Sequence, residues 1–492
     1  MNVKIIMLII IIVSLNQNLF SQPNTYFNGS AEYYYLAGLN DGRLKNLPYR
    51  MFNLNGVYQT QSFELNTKAA IEYTPVKDSR YLSNSTPQDF ILDLREFYLT
   101  WYFNFGEFRI GKQIHSWGCV DENSPVDVLN PYDYYYIFLQ GTDRKTGVYS
   151  SMLELYFNNT KLSAIYSPFH NTNRLPIDDY DFPIKLPVVP EEYRIFAIQE
   201  NPQEFGLSVE QSFSKGELKV FHFQGYDRIF NFSGINGFYF DSTMASTPDI
   251  DIVYGFRKTT MLGYGGVLLL GNLTLKGDYA LFVTKDMNSS IQRENPDEIF
   301  GEIYTYLGNE FPLREKAEYS QMTLQIEYEK PTVRFIGQYF TYDTLSYSFS
   351  DDFPPIDTLG VPPDISEDVA TEPSQLFTPG LGTPLAVLTK KAIMLNLEKT
   401  YLDNQLKVKL FSLFDIYNPS DSTYSENWYF NNNSIWGSLI GFSVEYNISQ
   451  NLNILAGVTE IKGDKKHPDR KNYRFNEMED FAHYRFELKY SF

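Results

Sequence analysis

From Ala482 to Phe492 the chain alternates without a break. Ala482, Tyr484, Phe486, Leu488, Tyr490 and Phe492 are apolar or aromatic, and His483, Arg485, Glu487, Lys489 and Ser491 between them are polar. A repeat of two sets successive side chains on opposite faces of a β-strand. The same alternation recurs upstream. Met322, Leu324, Ile326 and Tyr328 interleave with Gln321, Thr323, Gln325, Glu327 and Glu329, and Leu65, Ala69, Ile71 and Tyr73 with Glu64, Asn66, Lys68 and Glu72. Runs of this kind, bounded by turn residues, predict strands over 26–36, 49–61, 63–75, 90–103, 106–113, 146–157, 160–168, 204–214, 216–226, 259–271, 273–285, 317–329, 331–343, 388–401, 405–417, 434–448, 451–463 and 481–492. That is eighteen, with sixteen as the lower count.

The connections carry as much information as the strands. Links of three residues or fewer, such as Asn104-Phe105, Asn158-Asn159 and Ser449-Gln450, alternate with long ones, from 37–48 up to 344–387. A soluble sandwich has no reason to sort its loops in this way. A transmembrane antiparallel β-barrel does, with short periplasmic turns and long extracellular loops. A Lys or Arg facing lipid at mid-depth costs ~2–4 kcal/mol. The charged face therefore turns inward, and Glu64, Lys68, Glu72, Glu327, Arg334, Arg485 and Glu487 are predicted to line the lumen. A barrel of this size is too wide to fill with wall side chains, so it encloses an aqueous channel or a plug. The first strand begins within a few residues of Gln22, which leaves no room for a separate plug domain ahead of it.

The start of the chain fits export. Met1–Lys4 is basic, Ile5–Leu15 is apolar apart from Ser14, and Leu19-Phe20-Ser21 offers a small residue before Gln22. We read residues 1–21 as a signal peptide and 22–492 as one barrel. Eleven apolar residues fall short of the ~20 that a helical anchor needs. The absence of a Cys after this run argues against lipid-anchored maturation. The expected location is the outer membrane of a Gram-negative bacterium, in contact with its lipids.

Composition narrows the function. No later run of eighteen apolar residues exists, which excludes helical spans. The 39 Tyr and 39 Phe, against 4 Trp, suit membrane-interface girdles where a ring is half buried and its hydroxyl stays wet. A single Cys119 precludes an internal disulfide. The net charge of −19 makes nucleic acid a poor partner. Ser346–Thr371 holds Asp351, Asp352, Asp357, Asp364, Glu367 and Asp368 without a Lys or Arg, the pattern of a solvated loop, with a specific cation site as the alternative. His115, His170, His222, His467 and His483 are scattered without metal-ligand spacing, and no nucleophile elbow or phosphate loop is present. Neither an enzyme nor a cofactor is expected. Gly263-Tyr264-Gly265-Gly266 lies within a strand, where glycine marks a bend or a close aromatic neighbour.

One stretch is distinctive. Leu94-Arg95-Glu96 precedes Arg109-Ile110-Gly111-Lys112-Gln113, then Trp117-Gly118 and Asp127-Val128-Leu129-Asn130-Pro131-Tyr132-Asp133. This segment, about residues 90–135, resembles the signature of a family of porin-like outer-membrane barrels. The strand count also resembles alginate-export and substrate-specific porins. The terminal strand ending on Phe492 resembles the signal that such barrels present to their assembly machinery. In general porins the third long loop folds into the channel, so the resemblance implies that Ile114–Arg144 is a constriction loop. Trp117, Tyr132, Tyr134, Tyr135 and Tyr136 would then pack on the inner wall. Asp121, Glu122, Asp127 and Asp133 would form an acidic eyelet, with Arg109, Gln113 and Asn130 also lining the pore. The alternative for the same residues is an external loop held by Asx-turns at Asn130-Pro131 and Asp133. The expected function is passive diffusion of small hydrophilic solutes, with anions disfavoured by the acidic lining. Two alternatives remain: a surface adhesion protein whose barrel anchors the long loop 344–387, and a selective transporter of an oligosaccharide or hydrophobic compound.

Overall fold

A computed structural model of the chain describes residues 24–74, 80–81, 90–139, 142–177, 179, 181–182, 195, 202–239, 249–288, 290–292, 298–299, 302–303, 306–353, 377–417, 435–467 and 473–492. Residues 1–21, expected to be a signal peptide, and most of the acidic run in 344–387 lie outside the described residues.

The alternating runs form a closed antiparallel barrel of eighteen strands. In chain order these are β1 (Asn24–Gly38), β2 (Tyr49–Gln59), β3 (Phe63–Tyr73), β4 (Phe90–Phe103), β5 (Gly106–Gln113), β6 (Val148–Phe157), β7 (Thr160–Ser167), β8 (Glu204–Phe213) and β9 (Gly216–Tyr226). The second half supplies β10 (Lys258–Leu270), β11 (Leu273–Lys285), β12 (Lys316–Lys330), β13 (Val333–Ser348), β14 (Lys391–Tyr401), β15 (Leu406–Asp415), β16 (Gly437–Asn447), β17 (Leu452–Lys462) and β18 (His483–Ser491). Each pairs with its neighbours in sequence. β1 pairs with β18 from Ser30↔Ser491 to Gly38↔His483, which leaves no free edge. Each of the eighteen predicted runs corresponds to one of these strands. Turns of two to four residues sit at one end and the long loops at the other.

The two faces sort by physics. Leu324 and Ile326 are 48% and 42% exposed on the outside, while Thr323, Gln325 and Glu327 between them are buried within. In β18, Tyr484, Phe486, Leu488 and Tyr490 point outward. Aromatic rings gather toward both rims of this apolar band. Trp101, Phe103 and Phe105 pack together beside a short turn, and Tyr73 meets Phe90 toward the loops. Such a band flanked by aromatics matches a bilayer core with its two interfaces.

Inside, the charges predicted from alternation pair across strands or with the next inward position of the same strand. Lys68 meets Glu96, and Arg109 meets Glu107. Lys161 and Lys219 share Glu210. Lys276 and Arg334 share Glu327, Lys409 reaches Glu445, and Arg485 pairs with Glu487. Pairing of this kind removes the cost of lone charges in a partly desolvated wall.

The lumen is not an empty tube. Its loop end holds an apolar cluster in which the loops pack on the strands: Tyr134–Tyr136 and Leu139 from the third long loop, Leu175 and Phe182 from the fourth, Leu385 and Leu388 from the seventh, and Phe475, Met478 and Phe481 from the last, against Phe340, Met394, Leu413 and Leu439 of the wall. The long loops also carry structure that strict alternation did not signal. Asn231–Tyr239, Asp249–Gly255 and Tyr306–Pro312 make a three-stranded sheet, and Arg474–Met478 is a single turn of helix.

Candidate functional site in the barrel lumen

The third long loop leaves β5 at Gln113 and returns to β6 at Val148. Its base is held by the residues of the distinctive segment. The Asn130 amide donates to the Gln113 carbonyl at 3.0 Å and the Thr146 carbonyl at 2.7 Å, and its oxygen accepts the His115 N–H at 2.7 Å. Glu96 accepts the Ile114 N–H at 3.1 Å. Arg95 donates to the Lys145 carbonyl at 2.7 Å, and Gln113 to the Ser150 carbonyl at 2.9 Å. Asp127 pairs with Lys145 and accepts the Trp117 N–H at 3.2 Å. Burial, with Arg109 and Lys145 adding to it, pushes the His115 imidazole down to about 3.

From this base the loop runs inward to the facing wall. Cys119 and Val120 donate their backbone N–H groups to the Asp278 carboxylate on β11, at 2.8 and 3.0 Å, and the Ser124 hydroxyl joins them at 2.8 Å. The turn needs Gly118, whose φ of +100° and close approach to Ser124 exclude a side chain. The carboxyl of Asp121 accepts from Gln325 at 2.8 Å and pairs with Lys276 and Arg334. Thr323 donates to the Asn123 carbonyl at 2.7 Å, and Gln338 to the Glu122 carbonyl at 3.2 Å. Trp117 packs on Phe221, ring centres 5.3 Å apart. The glycines of β10 make room for the loop. A Cβ at Gly263 would sit 2.4 Å from Val126, and one at Gly265 would sit 2.9 Å from the Cys119 sulfur. Burial, reinforced by the Asp278 charge, pushes the Cys119 thiol up to about 12.

The later half of the loop packs toward β2 and β3. The Tyr136 hydroxyl donates to Glu72 at 2.8 Å, and the Arg50 guanidinium lies 3.9 Å over the Tyr136 ring. Arg174 bridges Glu72 at 2.6 Å and Asp133 at 3.1 Å, and Asp133 also lies 3.5 Å from Arg50.

The residues expected to line a pore therefore divide. Gln113, Asn130 and Asp133 are 2%, 1% and 1% exposed and act as anchors, as do Asp127 and Trp117. The acids expected to form an eyelet are matched by bases: Asp121 by Lys276 and Arg334, Glu122 by Arg144, Asp127 by Lys145, and Asp133 by Arg174. Burying an unmatched carboxylate would cost several kcal/mol, and these pairs avoid that cost. Arg109 lies on the wall with Glu107, and Glu64 accepts from the Tyr102 hydroxyl at 3.0 Å.

Beside the loop, space remains along β14–β17 and at the start of β18. About 1080 Å³ of atom-free space, open to solvent, lies between Glu122, Ile137, Phe138 and Arg144 of the loop and a wall that includes Met394, Lys409, Phe411, Leu413, Leu439, Gly441 and Arg485. Sequence reading missed Asp278 as the loop's tether and this apolar wall. The wall did leave a signal, since Val408-Lys409-Leu410-Phe411-Ser412-Leu413-Phe414 is apolar on both faces.

No protein-family model and no curated protein sequence matches the chain. Among solved structures it is similar to OccAB3 of Acinetobacter baumannii, at 10% identity and a TM-score of 0.47, over 95% of this chain and 99% of that one. It is likewise similar to OccK2 of Pseudomonas aeruginosa in complex with glucuronate, at 9% identity and 0.47, over 95% and 98%, and to opdK, an outer membrane protein of the same organism, at 10% identity and 0.46, over 95% and 99%.

Proposed function

We propose that this chain is an outer-membrane channel of a Gram-negative bacterium, through which small solutes diffuse across a lumen narrowed by residues 114–144. The strands cross the bilayer, the short turns face the periplasm and the long loops face outward. One observation carries the proposal. A loop anchored at β5 and β6 is tethered to Asp278 on β11, five strands further around the wall, yet solvent-open space remains beside it along β14–β17. A barrel serving only as an anchor has no need of a wall groove, paired glycines and a carboxylate to seat one loop. The clasp made by Arg95, Glu96, Gln113 and Asn130 supports reading the 90–135 segment as the signature of the porin-like family. Because the acids of the loop are matched by bases, we expect charge selectivity to be weaker than an open acidic eyelet would give.

The apolar cluster across the loop end favours one competitor, a surface-binding protein whose barrel only supports its loops. Purified protein in a planar lipid bilayer separates the two. Discrete single-channel currents support the channel. A correctly folded barrel that conducts nothing at any voltage supports the anchor.

A further inference from the structure

The inner wall is apolar on two sides. Along β9–β12, Phe221, Phe223, Met261, Phe282 and Tyr319 are covered by a cluster that includes Trp117, Val126, Phe377 and Leu381 of the loops. Along β14–β16 the inward positions Met394, Phe411, Leu413 and Leu439 are apolar, and they border the cavity. Phe138 of the third loop and Leu385 of the seventh face the same space. Met394, Leu413 and Leu439 belong to the buried cluster that includes Tyr134, and Phe411 is half-buried beside them, so only the edge of this apolar wall is open to the cavity.

The polar lining of this space is matched internally. Arg144 lies 3.2 Å from Glu122, Lys409 lies 3.5 Å from Glu445 and 3.9 Å from Glu398, and Arg485 pairs with Glu487. Such pairs present donors and acceptors to a solute without a net charge to neutralise. The wall is also recessed at one point. A Cβ at Gly441 would have no neighbour nearer than the Thr459 hydroxyl at 3.5 Å, so the missing side chain adds space to the lumen.

Given a conducting lumen as proposed above, we infer that this space is a binding site for neutral amphiphilic solutes, in which an aryl or short alkyl group is joined to a hydroxylated part. The apolar group lies on Phe411, Leu413 and Leu439, and the hydroxyls meet the ion pairs across the passage. An ionic solute would have to break one of those pairs. A fully polar solute would leave the apolar wall wet.

The test compares 4-nitrophenyl β-glucoside with methyl β-glucoside as blockers of single-channel current in a planar bilayer. The aryl glucoside is expected to reach half-block at a concentration about tenfold lower. In the double variant Phe411→Ser, Leu439→Ser the difference should fall below about threefold. Gly441→Leu fills the recess without removing any wall residue, and it should abolish the aryl preference while sparing block by the methyl glucoside. Folding of each variant is checked by heat-modifiable gel mobility. Equal block by the two glucosides in the native protein overturns the inference and leaves the channel standing. A preference that persists in Gly441→Leu and in whichever double variant folds also overturns it, because the site would lie elsewhere. Absence of current in the native protein instead overturns the channel.

Discussion

The carboxylate of Asp278 lies 2.8 Å from the backbone nitrogen of Cys119, a residue 159 positions earlier in the chain. The contact joins the third loop to β11, and the Val120 and Ser124 donors reinforce it. Hydrogen bonds to a charged group contribute about 1.5–3 kcal/mol each when buried. Asp278→Ala should release the loop, raise single-channel conductance and increase current noise. The Cys119 thiol, unreactive while burial and the Asp278 charge hold its pKa near 12, should then label with a small maleimide. Unchanged conductance together with an unreactive Cys119 would show that the tether is dispensable.

The glycines of β10 yield a complementary prediction. Gly263→Leu places atoms where Val126 now sits, so the barrel should still assemble while the loop is displaced. Conductance should rise toward that of a variant lacking residues 119–125. Gly266→Ala, on the outer face of the same strand, is the control and should leave conductance as it was. A wild-type current from Gly263→Leu would mean that the loop does not set the width.

Asp121 and Asp133 should behave differently although both are acids of the same loop. Asp121→Asn leaves Lys276 and Arg334 sharing Glu327 alone, adding a positive charge beside the passage. Reversal potentials should shift toward anion preference, most clearly at low salt, where the Debye length is ~30 Å rather than ~8 Å. Asp133→Asn removes a carboxylate from a buried network and should instead lower stability by about 3 kcal/mol with little change in selectivity. Equal shifts in selectivity would place Asp133 in the water-filled path.

His115 gives the loop a pH dependence with a definite sign. Its folded pKa of about 3 lies below the ordinary 6.5, so the folded state holds the neutral ring and the unfolded chain takes up the proton first. The contribution is fully present above about pH 6.5 and is lost as pH falls from there toward 3. Unfolding midpoints in urea measured from pH 7 to pH 4 should decline. His115→Gln should flatten that decline. An identical slope in the variant would remove His115 from the account.

The two faces of β18 predict opposite tolerances. Phe486→Arg turns a charge toward the outside and should block assembly or cost ~2–4 kcal/mol. Glu487→Gln, facing the lumen beside Arg485, should fold normally. Comparable insertion yields for both in a lipid-refolding assay would contradict an outward Phe486.

The barrel was legible because a period of two is local. Tyr484 and Arg485 declare their faces from their neighbours alone, and the alternation of short and long links orders the whole sheet. The clasp was partly legible, since Asn130 and Gln113 stand out, but their roles were not. A side chain that bonds two backbone carbonyls looks the same in sequence as one that lines a pore. Asp278 was visible only as one inward charge among many, because what distinguishes it is a partner 159 residues away. The glycines at 263 and 265 pointed to a bend or an aromatic neighbour, whereas the loop residues seated on them are Val126 and Cys119. Phe411 and Leu439 were overlooked for a different reason. An apolar residue on an inward face breaks the alternation, and the pattern used to find strands treats such breaks as noise.

Asn130 grips the carbonyls of Gln113 and Thr146 with one amide, at the two points where the chain leaves and re-enters the wall. In effect this waist divides one long crossing into two smaller lobes, residues 114–129 and 131–146. The entropy lost on closing a loop grows only with the logarithm of its length, so the division adds little cost. It separates two tasks. The first lobe touches Asp278 and borders the passage, while the second packs into the mouth with Tyr134–Tyr136. The first lobe can therefore be altered without disturbing the second, because the waist holds each in place separately.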